Sequence, residues 1–278
     1  TPSNSSAASD VYKRQPESSR AVEGYRLVDN LGKAGSQELT PRQILTWGTT
    51  QGLNGHSALV KLIDRFPSSP ESELAYLQIF KNINRGFTQR SLLRNFSHSD
   101  LFEKYFERFA EEFPHSAYLP EALILRAEFN YRCAKKSQAI ARKNDNTWQR
   151  TKSRSRRRTS SRYASHADKY FNRVETADSA AAHLFPGSRC SFETGLFVGL
   201  SLVETDEFSQ ALARMNGLLA KGPDPLTEVR IRSYAGLINY HEGRYSQAVK
   251  VLAPVEKKIN SERESWSSRR EARSSSTR

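Results

Sequence analysis

Nine cationic residues crowd the twenty-one positions from Arg142 to Arg162, the densest run of one chemistry in this 278-residue chain. They are Arg142, Lys143, Arg150, Lys152, Arg154, Arg156, Arg157, Arg158 and Arg162, set against Asp145 alone, so this segment carries +8 of a formal +13. Guanidinium groups are planar forks that match phosphate oxygens. Trp148 and Tyr163 flank them with π-faces of the kind on which bases stack. The set suits recognition of a nucleic acid or another anionic partner, with Arg150, Lys152, Arg154, Arg156, Arg157, Arg158 and Arg162 as its basic contacts. A solvated basic loop is the simpler reading of the same residues. Ser153, Ser155, Thr159, Ser160 and Ser161 interleave the cations, and phosphorylation there would cancel charge.

Bond-making chemistry has no comparable signature. His56, His98, His115, His166, His183 and His241 are scattered, and none pairs with another His or Cys at metal-ligand spacing. Cys133 and Cys190 fit no metal or redox spacing and read as ordinary partly buried thiols, a disulfide between them being the alternative. There is no phosphate-cradling glycine loop, zinc-protease helix motif or nucleophile elbow. Asp100, Glu103, Glu107, Glu111 and Glu112 read as a solvated acidic helix face. The expectation is a protein that is not an enzyme, with no catalytic residues, cofactor or metal. No apolar run approaches a spanning length, so no transmembrane segment is expected.

The elements that carry these residues announce themselves by a register. A proline is followed thirteen residues later by a small residue and twelve after that by an alanine: Pro114, Ala127, Ala139; Pro186, Gly199, Ala211; Pro223, Gly236, Ala248. Ser and Gln precede each closing alanine. A fixed period in this range marks stacked helix pairs, each with a proline at a helix start and small residues where the two helices cross. Hydrophobic spacing agrees, with Tyr245, Ala248, Val249, Leu252 and Val255 on one helical stripe and Leu101, Phe102, Tyr105, Phe106 and Phe109 on another. Gly243 suits the turn between two helices.

The stretch from Gly236 to Ala248, with Tyr240, Gly243, Tyr245 and Ala248 in order, resembles a tetratricopeptide repeat, and the unit from Gly199 to Pro223 with Phe208 as its aromatic is similar. The unit around Ala127 departs from the pattern, with Lys136 in the aromatic slot and Asn130 near where a tyrosine is usual. Gly195 and Arg232 stand where the family has a large first-helix residue. The resemblance covers about half the chain. It implies an all-α fold, a right-handed α-solenoid of antiparallel helix hairpins, whose concave groove binds a protein or peptide. First helices would line that groove with Phe129, Asn130, Leu202, Val203, Asn239 and Tyr240. The lysine and asparagine clamp of chaperone-tail binders in this family is missing: its slots hold Ile124 and Glu128, Leu196 and Leu200, Ser233 and Leu237.

Phe66-Pro67-Ser68-Ser69, Phe113-Pro114-His115-Ser116 and Phe185-Pro186-Gly187-Ser188 each close one amphipathic segment and open another, with the final serine suited to cap the next helix. After Pro67, Phe80 and Leu92 occupy the slots of the small residue and the alanine. Such corners resemble the bacterial branch of these repeats, that of the outer-membrane β-barrel assembly lipoproteins and the Tol–Pal coordinator proteins. That resemblance implies the periplasm or outer membrane and a role in envelope assembly; without it the expected location is cytoplasmic.

Residues 1–36 read as disordered, and 1–15, ending Asp10-Val11-Tyr12-Lys13-Arg14-Gln15, resemble one frame of a sequencing-transposon end. A TPR-like domain is expected over 37–264, opening at Thr40-Pro41 with Gln43 in the first turn. Within it, 147–162 is expected as an inserted basic loop. The chain should be helical again from Tyr163 to Phe185, where Ala167, Tyr170, Phe171, Val174 and Ala177 share a face. The Ser- and Arg-rich tail 265–278 reads as disordered.

Overall fold

A computed structural model describes residues 39–50, 55–86 and 97–275, the side chains of 97–99 and 262–275 aside. Among the described residues there are ten helices and no strand. They are α1 (Pro41–Thr50), α2 (His56–Arg65), α3 (Pro70–Gly86), α4 (Ser97–Glu112), α5 (Leu119–Thr151), α6 (Arg154–Leu184), α7 (Arg189–Glu204), α8 (Phe208–Ala220), α9 (Pro225–His241) and α10 (Tyr245–Ser275). The chain divides into two compact units inside α3, between Ala75 and Tyr76. No helix among the described residues is long and apolar enough to cross a membrane. The expected disordered N-terminus, residues 1–36, and Leu92 lie outside the described residues.

In the first unit, α1 opens on a reciprocal cap. The Thr40 amide donates to Gln43 Oε1 at 2.9 Å, and the Gln43 amide donates back to Thr40 Oγ1 at 3.4 Å, satisfying two orphan N–H groups. Leu59, Leu62 and Ile63 of α2 are buried with Ile44 of α1.

The three Phe-Pro-x-Ser corners share one local geometry. In each, the phenylalanine N–H closes the preceding helix on the carbonyl four residues back (Leu62, Phe109 and Ala181, all 2.9 Å), and the serine N–H returns to the phenylalanine carbonyl. The capping expectation holds: Ser188 is the N-cap of α7, its hydroxyl accepting from the Ser191 amide. Ser69 Oγ likewise accepts from the Ser72 amide, whereas Ser116 Oγ takes the nearer Tyr118 amide. Pro114 and Pro186 therefore lie in corners ahead of the helices, while Pro120 and Pro225 take the first helical turn.

The second unit begins as an aromatic stack. Phe80 of α3 lies 4.9 Å from Phe102 of α4, which stacks on Phe129 of α5 at 4.9 Å and an interplanar angle of 10°. Phe102, Phe106 and Phe109, on the predicted stripe, are buried. Further along, Val174 and Ala177 of α6 join Leu196 and Leu200 of α7, Met215 of α8 and Ile231 and Ala235 of α9 in one apolar cluster. The predicted face of α6, Ala167 to Ala177, is buried throughout.

Three sequence expectations differ from the fold. The first register unit is not a helix pair: α5 runs unbroken for 33 residues through both Ala127, which is buried, and Ala139, which is exposed. The run Ala134-Lys135-Lys136-Ser137-Gln138-Ala139-Ile140-Ala141 contains no glycine or proline, so nothing stops the helix where the other units turn. The loop expected over 147–162 is also helical, apart from Lys152 and Ser153. Arginine is a good helix former, and Ser160 turns to the neighbouring helix while Ser155 and Ser161 stay exposed. Ser160 Oγ donates to the Ala141 carbonyl at 3.0 Å and Arg156 to Asn144 Oδ1 at 3.1 Å, which sets α5 and α6 antiparallel. The tail from 265 is likewise helical, α10 continuing to Ser275.

The other two units keep their register. Asp206 and Gly243 both take a left-handed conformation, with φ of 64° and 72°. The next amide reaches back to the same carbonyl in each, Glu207 to Leu202 and Arg244 to Asn239, both at 2.8 Å. The predicted turn at Gly243 is thus repeated 37 residues earlier, with aspartate in the glycine position.

Candidate functional site

The six residues expected to line a groove do not lie together on an open surface. Phe129, Asn130 and Asn239 are buried. Phe129 belongs to the aromatic stack. Asn130 donates to Glu103 Oε1 at 2.8 Å and to the Arg126 carbonyl at 2.9 Å. Asn239 donates to the Ala235 carbonyl at 2.9 Å. Leu202 and Val203 are half-buried against the apolar cluster. Tyr240 alone is exposed, its ring 5.4 Å from that of Tyr245. Both asparagines face the core because each donates its Nδ2 to the carbonyl one turn back.

The open surface lies instead on α9 and α10. Leu226, Leu237 and Tyr240 of α9, with Tyr245, Val249, Leu252 and Ile259 of α10, are exposed. On each helix they recur at helical spacing and so share a stripe. The repeat shows what is unusual about them. Leu200 and Met215 are 6% and 0% exposed, in the cluster that includes Ile231, Ala235 and Ile238 of α9. Their counterparts 37 residues on, Leu237 and Leu252, are 50% and 36% exposed. A helix pair in a stack leaves an apolar outer face for a neighbour to cover. Here the residues at those positions stay apolar. The 37-residue offset is visible in the sequence, but which copy is uncovered is not.

The basic segment forms the end of the α5–α6 pair, where the two helices meet at Lys152, itself left-handed at φ 51°. Arg154, Arg157, Arg158 and Arg162 recur along one exposed face of α6, while Arg156 turns inward to Asn144. On α5, Lys143 and Arg150 stand two turns apart and exposed. Trp148 is half-buried between Lys152 Nζ and the Arg157 guanidinium, each 5.3 Å from its ring. Its face is therefore occupied by cations, and Tyr163 packs against His166 with ring centres 6.3 Å apart. Neither aromatic stands free as a platform for a base. The first turn of α6 carries no acidic residue, and Ser153 makes no side-chain cap.

Several buried charged groups make ion pairs between helices. Glu103, read as solvated, is buried and takes a forked contact from Arg126, with Nη2 at 2.6 Å and Nε at 3.0 Å from Oε2. Asp178 accepts from Thr194 Oγ1 at 3.1 Å and is paired with Arg214, and Glu193 is paired with Arg230. These ion pairs tie α4 to α5, α6 to α8, and α7 to α9. Cys133 and Cys190 are buried free thiols, and burial pushes both up to about 12. Among the described residues, no three His, Cys, Asp or Glu side chains converge to hold a metal ion. Compared with known proteins, the chain matches no family model and no curated protein.

Proposed function

We propose that the chain is a non-catalytic helical-repeat scaffold of tetratricopeptide type, a right-handed solenoid of antiparallel hairpins, which receives an amphipathic helix of a protein partner on the open face of α9 and α10. One observation carries this reading: Leu237 and Leu252 are exposed where Leu200 and Met215, one repeat earlier, are buried in the cluster that α9 completes. The occupant follows from the same comparison. In the seat one repeat earlier, α9 presents Ile231, Ala235 and Ile238, an i, i+4, i+7 series of aliphatic and small side chains. A partner helix with that series fits the open copy. A place in bacterial envelope assembly belongs to the same proposal, supported by the three Phe-Pro-x-Ser corners and their common hydrogen bonding.

The probe is a synthetic peptide with the sequence of α9, Pro225–His241, titrated into the full chain and followed by calorimetry. One-to-one binding that Leu237→Asp or Val249→Asp abolishes, with the helical circular dichroism of each variant unchanged, supports the proposal. Failure of the peptide to bind would overturn it. So would a concentration-dependent dimer, seen by sedimentation, that Leu237→Asp dissociates, because the face would then be covered by a second copy.

A further inference from the structure

The basic end of the α5–α6 pair is independent of the open apolar face, and from it we infer a second binding site: a seat for the phosphate backbone of duplex nucleic acid, held without reading bases. Three observations converge. Arg154, Arg158 and Arg162 follow one another at i, i+4 and i+8, a row that rises about 6 Å per step, with Arg157 beside it. No ion pair among the described residues occupies Arg150, Arg154, Arg157, Arg158 or Arg162. The row also begins at a helix N-terminus, where the backbone dipole disfavours cations, and that N-terminus has no side-chain cap. A bound phosphate answers both deficits, accepting from uncapped amides and neutralising the arginines.

The class of ligand follows from what surrounds the row. Trp148 is a positioning residue: it holds Lys152 and Arg157 through cation–π contacts, which orders the cations but takes its face away from bases. That favours a regular phosphate array over splayed single-strand bases. A bilayer fits less well, because no large hydrophobic residue from 142 to 162 is exposed for insertion. Forked guanidinium contacts match phosphates in particular.

The test is fluorescence anisotropy of a labelled duplex DNA and the matching duplex RNA with the full chain. If about four phosphates are neutralised, log K falls with log salt at a slope near −3.6, so a fourfold rise in salt weakens binding about a hundredfold. Replacing Arg154, Arg157, Arg158 and Arg162 together by Gln removes most of that slope while the chain melts no lower than the parent. Ser155→Asp, which places an anion in the first turn of α6, raises the melting temperature and weakens binding. Trp148→Leu weakens binding and Trp148→Phe restores part of it. The inference is overturned if the duplexes do not bind, if the quadruple variant and Ser155→Asp bind as the parent does, if a single-stranded oligonucleotide binds more tightly than the duplexes, or if phosphatidylserine vesicles bind and the duplexes do not.

Discussion

Gly236 of α9 lies directly against Leu252 of α10: a Cβ built on the glycine would stand 2.5 Å from Leu252 Cγ. The same crossing occurs 37 residues earlier, where a Cβ on Gly199 would stand 2.7 Å from Met215 Cε. The small-residue register seen in the sequence is therefore a helix-contact register, and its two copies differ in what they meet. Leu252 offers its branch point, whereas Met215 offers the end of a flexible chain.

That difference separates the outcomes of Gly236→Ala and Gly199→Ala, both read from chemical denaturation. Gly236→Ala costs about 1–3 kcal/mol by overpacking, less the roughly 0.5–1 kcal/mol that alanine returns in a helix. Adding Leu252→Ala to it restores part of the loss, a non-additive pair. Gly199→Ala costs less, because the Met215 methyl moves aside. Gly217, inside α8 with nothing near its missing side chain, becomes more stable as alanine by about 0.5–1 kcal/mol. An unchanged midpoint for Gly236→Ala would remove the contact from the account.

Glu103 and Arg126 supply the second prediction. Their side chains are 7% and 12% exposed, the carboxylate also accepts from Asn130, and the guanidinium lies 4.5 Å from the Phe106 ring centre. Arg126→Met leaves a buried carboxylate with one neutral partner and costs about 3–5 kcal/mol. Replacing both, as Glu103→Leu with Arg126→Met, costs much less, since no charge is left unpaired. Thermal melts of the two variants decide it, and equal losses would contradict the assignment of the pair as a desolvated ion pair.

Asp100 supplies a pH dependence. Burial alone would raise its carboxyl, but hydrogen bonds and charge from Lys169 and Arg173, at 3.0 Å and 3.1 Å, outweigh it and hold the group below the ordinary carboxylate range. A carboxyl depressed by folding adds stability that is present above its unfolded value, about 3.9, and lost as pH falls through the folded value. The pair is partly exposed, so the effect is below about 1 kcal/mol. Melts of the parent and Asp100→Asn should differ at pH 6 and converge as pH falls below about 4. A difference that persists at low pH would mean that the side chain acts by packing instead.

The helices, their capped starts and the Phe-Pro-x-Ser corners were legible because each depends on residues within a few positions of one another. Thr40 with Gln43, Ser188 with Ser191, and the left-handed Gly243 are local hydrogen-bond arrangements that any reader of spacing can find. The buried face from Ala167 to Ala177 was legible for the same reason, and the 37-residue offset between Gly199 and Gly236 because a repeated spacing is visible in the sequence itself. The position of each helix against its neighbours was not. Tertiary packing made the Arg-rich segment helical by pairing it with α5 through Ser160 and Arg156, buried Asn130 and Glu103 against Arg126, and left Leu237 and Leu252 uncovered where Leu200 and Met215 are enclosed. Periodicity states which side chains share a face. Whether that face meets a helix or water depends on contacts between residues distant in the chain, and that only the folded arrangement decides.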